Sequence, residues 1–144
     1  MRYLLDTNVL SEAARPEPAQ GVVAFLQTTT PLDLAISVLT VGEIRQGIVQ
    51  LASGRRRREL QKWLSVDLLR QFSGRVLPVD EAVALAWGRL AAEGRAAGRR
   101  LPVIDGLLLA TAQVHALTFV TRNVGDCGGR DVEVLDPWAG EGDG

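Results

Sequence analysis

Four acidic residues stand where this chain could do chemistry: Asp6, Glu43, Asp105 and Asp126. Asp6 closes the apolar run Tyr3-Leu4-Leu5, which reads as a short buried strand stopped by a polar turn. Glu43 falls one turn into a helix that follows a second such run, Leu34-Ala35-Ile36. Asp105 lies in the first turn of a helix opened by Pro102. Asp126 lies in the Gly-rich loop after Thr118-Phe119-Val120-Thr121. If the strands that precede Asp6, Glu43 and Asp126 are adjacent and parallel, all four acids meet at one edge of a sheet. Carboxylates gathered that closely repel one another and are driven toward protonation unless positive charge sits among them. A divalent cation answers that need and equips a site for attack of water on a phosphodiester.

The rest of the composition limits what could hold such a cation. Cys127 is the only cysteine and His115 the only histidine, so neither a disulfide within the chain nor a thiolate zinc site can form. His115, inside the apolar-rich run 107–117, reads as a surface or satisfied helix residue. Ligation by oxygen alone suits magnesium, with manganese as a substitute, rather than zinc or copper.

Each acid also has a plainer reading. Asp6 suits the cap of a short helix, and Thr40-Val41-Gly42-Glu43 matches a capping box in which Glu43 folds back on the helix start. Asp105 suits the positive end of a helix, and Asp126 suits a turn. Their joint placement at element boundaries is the stronger signal. A phosphotransfer enzyme with Asp6 as nucleophile would want an acid where Asn8 stands and a nearby lysine, but Lys62 is the only lysine.

Positioning these acids requires a scaffold, and its pattern is legible. Short apolar runs at 3–5, 34–36, 76–77, 118–121 and near 132–135 alternate with helical stretches. The helices are expected at about 9–14, 19–27, from Ser37 or Thr40 to about 52, from Arg55 onward, from Asp80 onward and at 103–115. In the Arg55 helix, Leu60, Trp63, Leu64, Leu68 and Phe72 recur at helical spacing. Alternation of this kind predicts an α/β fold with a central, mostly parallel sheet flanked by helices on both faces. Its crevice lies at the carboxyl ends of the strands. With 47% apolar and 23% charged residues over 144 positions, one globular domain is expected over 1–138, with a disordered polar tail at 139–144. No apolar run approaches the roughly 18 residues of a membrane span, and no secretory leader is read, so cytoplasmic residence is expected.

The net charge of −1 means that a nucleic acid would have to be met by a local patch. Candidates are Arg55 and Arg56 in the run Arg55 to Arg58, the pair Arg99-Arg100, and Arg122. The first run also reads as a solvated helix start; the others lie nearer the acids in sequence.

The local sequences carry a resemblance. Leu4-Leu5-Asp6-Thr7-Asn8-Val9-Leu10-Ser11-Glu12 resembles the opening of PIN-domain proteins of the VapC type, in particular their FitB-like branch. The segments 37–47, 102–112 and 120–126, with the closing Asp136-Pro137-Trp138, are similar to that family's later motifs in order and spacing. The resemblance implies a PIN fold and a magnesium-dependent endoribonuclease, the toxin of a toxin–antitoxin pair. It carries Asp6, Glu43 and Asp105 over as the acidic core, with Asp6 and Asp105 as direct metal ligands and Glu43 and Asp126 binding directly or through water. Asn8, Thr121 and Asn123 carry over as supporting polar residues. Either Asp126 or Asn123 fills the fourth position, and Cys127 stands where an aromatic residue often follows the acid. The resemblance further implies an RNA substrate, a homodimer and a DNA-binding antitoxin as partner. The departure at Cys127 leaves a second reading, a catalytically weak PIN-fold partner of a DNA-binding regulator.

Overall fold

Five short strands form one parallel sheet in the order β3-β2-β1-β4-β5. They are β1 (Tyr3–Leu5), β2 (Leu34–Ser37), β3 (Val76–Leu77), β4 (Thr118–Val120) and β5 (Val134–Leu135). The computed structural model of the chain describes residues 1–139. Of the tail expected at 139–144, only Ala139 belongs to them, and it closes a helical turn with Pro137 and Trp138. The remainder of that tail lies outside the described residues.

Side chains of a strand alternate between the two faces of its sheet, and the two faces bury separate cores. Leu4, Ala35 and Phe119 point to one face, where α6 (Glu81–Ala96) and α7 (Val103–Val114) cover them with Val83, Leu90, Leu108 and Leu109. Leu5, Leu34, Ile36 and Val120 point to the other. There they meet α1 (Thr7–Ala13), α2 (Gln20–Thr28) and α3 (Val38–Val49). Leu64, Leu68 and Phe72 complete that core from the helical stretch of α4 (Arg55–Lys62), a π-helical segment (Trp63–Leu68) and α5 (Leu69–Gln71). A residue buried as completely as Leu4 or Phe119 contributes about 1.5–3 kcal/mol. The central strands are therefore apolar on both sides, as a covered parallel sheet requires.

The expected elements are present, with shifted ends. α1 begins at Thr7 because Asp6 itself caps it, its carboxylate accepting from the Thr7 N–H at 2.7 Å. α3 is capped by Ser37 and not by Thr40, with the Ser37 Oγ accepting from the Leu39 N–H at 3.0 Å. The Gly-rich loop is partly helical: α8 (Val124–Cys127) carries Asp126. α6 closes on Gly98 at φ +68°, with the Arg99 N–H donating back to the Gly94 carbonyl at 2.7 Å. His115 is half-buried at the C-cap of α7, and its Nε2 is buried without a hydrogen-bond partner among the described residues. It is thus not the satisfied helix residue expected.

Candidate active site

β1, β2 and β4 are neighbours, so the carboxyl ends of three parallel strands bring their successors together. Asp6 leaves the end of β1 and is buried, with its backbone N–H donating to the Val120 carbonyl of β4 at 2.8 Å. One carboxylate oxygen is taken by the Thr7 N–H. The other accepts from the Thr121 hydroxyl at 2.7 Å and from the Asn8 amide at 3.3 Å. Thr121, fully buried just past β4, is itself saturated. Its oxygen accepts from the Asn123 N–H at 3.0 Å and from the Asn8 amide at 3.4 Å. Two adjacent residues, Thr7 and Asn8, and one 115 positions away, Thr121, thereby fix one carboxylate, with Asn123 holding Thr121 in turn.

Glu43 is held differently. The Thr7 hydroxyl donates to its Oε1 at 2.6 Å, and the buried Thr40 hydroxyl lies 3.2 Å from that of Thr7. With Ser37 as the cap of α3 and Glu43 turned to Thr7, the capping box is not formed. Thr7 and Thr40 are supporting residues that reading the sequence as separate motifs did not single out. Their pairing spans 33 residues, and the only local hint was the presence of Thr7 in the Leu-Leu-Asp-Thr-Asn run.

Asp105 stands in the first turn of α7, half-buried, with no side-chain hydrogen bond among the described residues. Its placement depends on its neighbour. A Cβ on Gly106 would lie 3.0 Å from Trp87 Cδ1, so glycine lets α6 and α7 close tightly beside the acid. Burial, then the charges of Glu43 and Asp126, raise the Asp105 proton affinity above the usual aspartate range. Burial also raises that of Asp6; its hydrogen bonds from Thr121 and Thr7 oppose the rise, and the charges of Asp105 and Glu43 add to it. The four acids thus share one electrostatic neighbourhood, with Asp126 on its exposed side. Cys127 is buried against it, and burial together with the charges of Asp105 and Asp6 pushes its thiol up to about 12, where it stays protonated.

Two observations fit a hard cation here. Asp6 and Asp105 both have raised proton affinities, to which the charges of neighbouring acids add, and Asn8 Oδ1 is buried without a donor among the described residues. A cation or a water bound to one would satisfy that oxygen. Among the described residues no three His, Cys, Asp or Glu side chains stand closed around a common point. The set is open, as mutually repelling carboxylates are.

The arginines divide. Arg56 donates to the Ala14 carbonyl at 3.0 Å, past the far end of α1, and Arg55 lies beside it at the start of α4. Arg122 stacks over the Trp138 ring at 5.1 Å. Arg99 donates to the Gly125 and Asp126 carbonyls at 3.1 and 3.3 Å, and Arg130 donates to the Asp126 carbonyl at 2.8 Å and to that of Arg99 at 2.7 Å. These two tie the α6–α7 loop to α8. Arg100 makes no such contact and faces a pocket between α6 and α7.

This geometry coincides with what the chain is similar to. A family model described as PIN domain matches residues 3–125. The chain belongs to the PIN-domain family. It is 39% identical to the toxin FitB of Neisseria gonorrhoeae, over 94% of this chain and 97% of that protein. It is 32% identical to the VapC ribonuclease Y4jK of Sinorhizobium fredii, over 94% of this chain and 96% of the relative. Among solved structures, FitAB bound to an IR36 DNA fragment superposes with a TM-score of 0.90 at 38% identity, covering 94% of this chain and 95% of that one. No helix among the described residues of this PIN-domain protein is long and apolar enough to cross a membrane.

Proposed function

We propose that this PIN-domain protein is a magnesium-dependent endoribonuclease and the toxin half of a toxin–antitoxin pair. The observation that carries the reading is the shared neighbourhood of Asp6, Glu43, Asp105 and Asp126 at the carboxyl edge of the sheet. Its likeness to a VapC ribonuclease and to the toxin FitB supports both halves of the assignment. Asp6 and Asp105 would hold magnesium, or manganese in its place, with Glu43 and Asp126 bound directly or through water and Asn8 Oδ1 completing the oxygen set. When bound, such an ion neutralises charge on the phosphodiester and acidifies a water.

The chain's own residues do the positioning. Thr7, Asn8 and Thr121 present Asp6 in one orientation, and Thr7 also holds Glu43, so two of the acids are coupled through one residue. The Asn123 backbone N–H is tied to the same hydroxyl, and its side chain would orient water or the metal by hydrogen bonding. In the cell, assumed to be the cytoplasm, the toxin works as a homodimer, with a DNA-binding antitoxin as partner. The FitAB–DNA complex supports the partner, and a basic antitoxin side chain placed among the acids would pair with them and exclude the cation.

The test is cleavage of a panel of structured RNAs with magnesium, with manganese, and with a chelator. Cleavage only with the divalent ion is expected. A second reading, a catalytically weak partner within a DNA-binding complex, is favoured by Cys127 in place of an aromatic residue and by the same DNA complex. Tight magnesium binding without cleavage of any RNA would select it.

A further inference from the structure

Three arginines line the pocket between α6 and α7, and its lining includes Val103 and Gly106 of the helical turn that carries Asp105. This pocket, about 590 Å³, is lined by apolar residues that include Trp87, Leu101 and the exposed Val103, with a rim of Arg95, Arg100 and Arg130. No acid is among its lining residues, in a chain whose net charge is −1. Arg95 and Arg100 are exposed, and their guanidinium groups make no hydrogen bond or ion pair among the described residues. Arg130 is held rigidly by its bonds to the Asp126 and Arg99 carbonyls. The pocket touches the acidic neighbourhood through α7: Val103 and Gly106 line it, and Asp105 lies between them in sequence.

From this we infer that the pocket is a subsite for one nucleotide of single-stranded RNA adjacent to the nucleotide being cut. The inference rests on the nuclease reading and extends it to how substrate is gripped. A volume of this size takes a base and its ribose. An indole and flanking guanidinium groups suit a flat π-face, and stacking of this type is tolerant of sequence. Free guanidinium groups on the rim meet the phosphates that flank the base. Charge complementarity selects this occupant: the acids exclude phosphate from their own cluster unless a cation is present, whereas the neighbouring rim attracts it. A strand crossing the first turn of α7 would set a phosphodiester at Asp105 and the next base against Trp87.

The probe is a fluorescein-labelled eight-nucleotide RNA, titrated into the protein in the presence of a chelator, so that hydrolysis assisted by a divalent ion does not proceed and the probe stays intact. Exchanging both rim residues, Arg95→Glu with Arg100→Glu, is expected to weaken binding at least about tenfold and to flatten its salt dependence. A series of the same oligomer with one abasic position is expected to show one position where base loss costs about tenfold. That penalty should vanish in Trp87→Ala, with Trp87→Phe retaining it as the control for folding. Unchanged affinity in the charge-reversal variant, or an abasic penalty that persists without Trp87, overturns the proposal. So does a charge-reversal variant that keeps RNA affinity but turns from dimer to monomer in sedimentation, because a second copy then covers the pocket. Since the probe is not cleaved, loss of the nuclease reading appears separately, as binding intact with no cleavage of ordinary RNA.

Discussion

Asp6 and Asp105 sit in the same electrostatic neighbourhood and are prepared for it in opposite ways. Asp6 is buried and satisfied: a backbone N–H, a hydroxyl and an amide all donate to it. Asp105 is half-buried, carries no side-chain hydrogen bond among the described residues, and is located only by the first turn of α7 and the Trp87–Gly106 contact. Both have raised proton affinities, led by burial in each case. The difference shows which acid is fixed before anything binds and which can swing. A site of this construction has one rigid wall and one adjustable one, and on the proposed reading the adjustable acid would close the set around a cation.

The comparison is broken most severely at the two acids themselves. Asp6→Asn and Asp105→Asn are each expected to lower magnesium-dependent RNA cleavage by at least about 10²-fold, the scale at which one charge-stabilising group is lost. Single-turnover rates at saturating magnesium check this. Parental activity in both variants would sink the nuclease assignment. A smaller loss follows from loosening only the rigid wall. Thr121→Val keeps the shape but removes the hydroxyl that donates to Asp6 and accepts from Asn123. A loss of about 10–100-fold in activity or magnesium affinity is expected, as for other partners that orient a ligand. Thr121→Ser should restore most of it; no difference between Val and Ser would remove Thr121 from the site.

On the adjustable side the probe is steric. Gly106→Ala places a Cβ within 3.0 Å of the Trp87 ring, so α6 and α7 must part or the indole must turn. Overpacking of this kind costs about 1–3 kcal/mol, measurable by urea denaturation. Cleavage should fall with it because Asp105 rides on the same turn, while the Asp6 hydrogen bonds stay intact.

Much of this was readable in the residues, and what was not has a common cause. Asp6, Asp105 and Asp126 sit at element ends, and chain punctuation by Pro102 and by polar turns marks such ends locally. The two-faced sheet was readable because central parallel strands are apolar on both sides. By contrast, the Thr7–Glu43 bond spans 36 residues, and Thr40 read as a cap when considered only against its neighbours. Arginine roles were the least legible. Arg99 and Arg100 are adjacent, yet one is spent on the α8 carbonyls and the other faces the pocket. A guanidinium reaches far enough that its partner is decided by tertiary structure alone. α8 was missed because its four residues, within a glycine-rich stretch, carry no apolar period.

The smallest expected effect is one of sign and separates the two acids most sharply. A raised carboxyl proton affinity in the folded state means that the fold binds the proton more tightly than the unfolded chain does. The stability from that protonation is present in acid and is lost as pH rises from the ordinary aspartate range through the raised value. At neutral pH and without divalent ions, ionised Asp105 therefore burdens the fold, and Asp105→Asn should raise the melting temperature. Asp6→Asn removes a similar burden but turns an amide N–H toward the donors of Thr121 and Asn8, a mismatch that costs about 1–3 kcal/mol. Its melting temperature should fall. Thermal denaturation in a chelator at pH 7 reads both, and added magnesium should stabilise the parent more than either variant. Equal shifts in the two variants would mean that the hydrogen bonds at Asp6 contribute nothing that distinguishes it from Asp105.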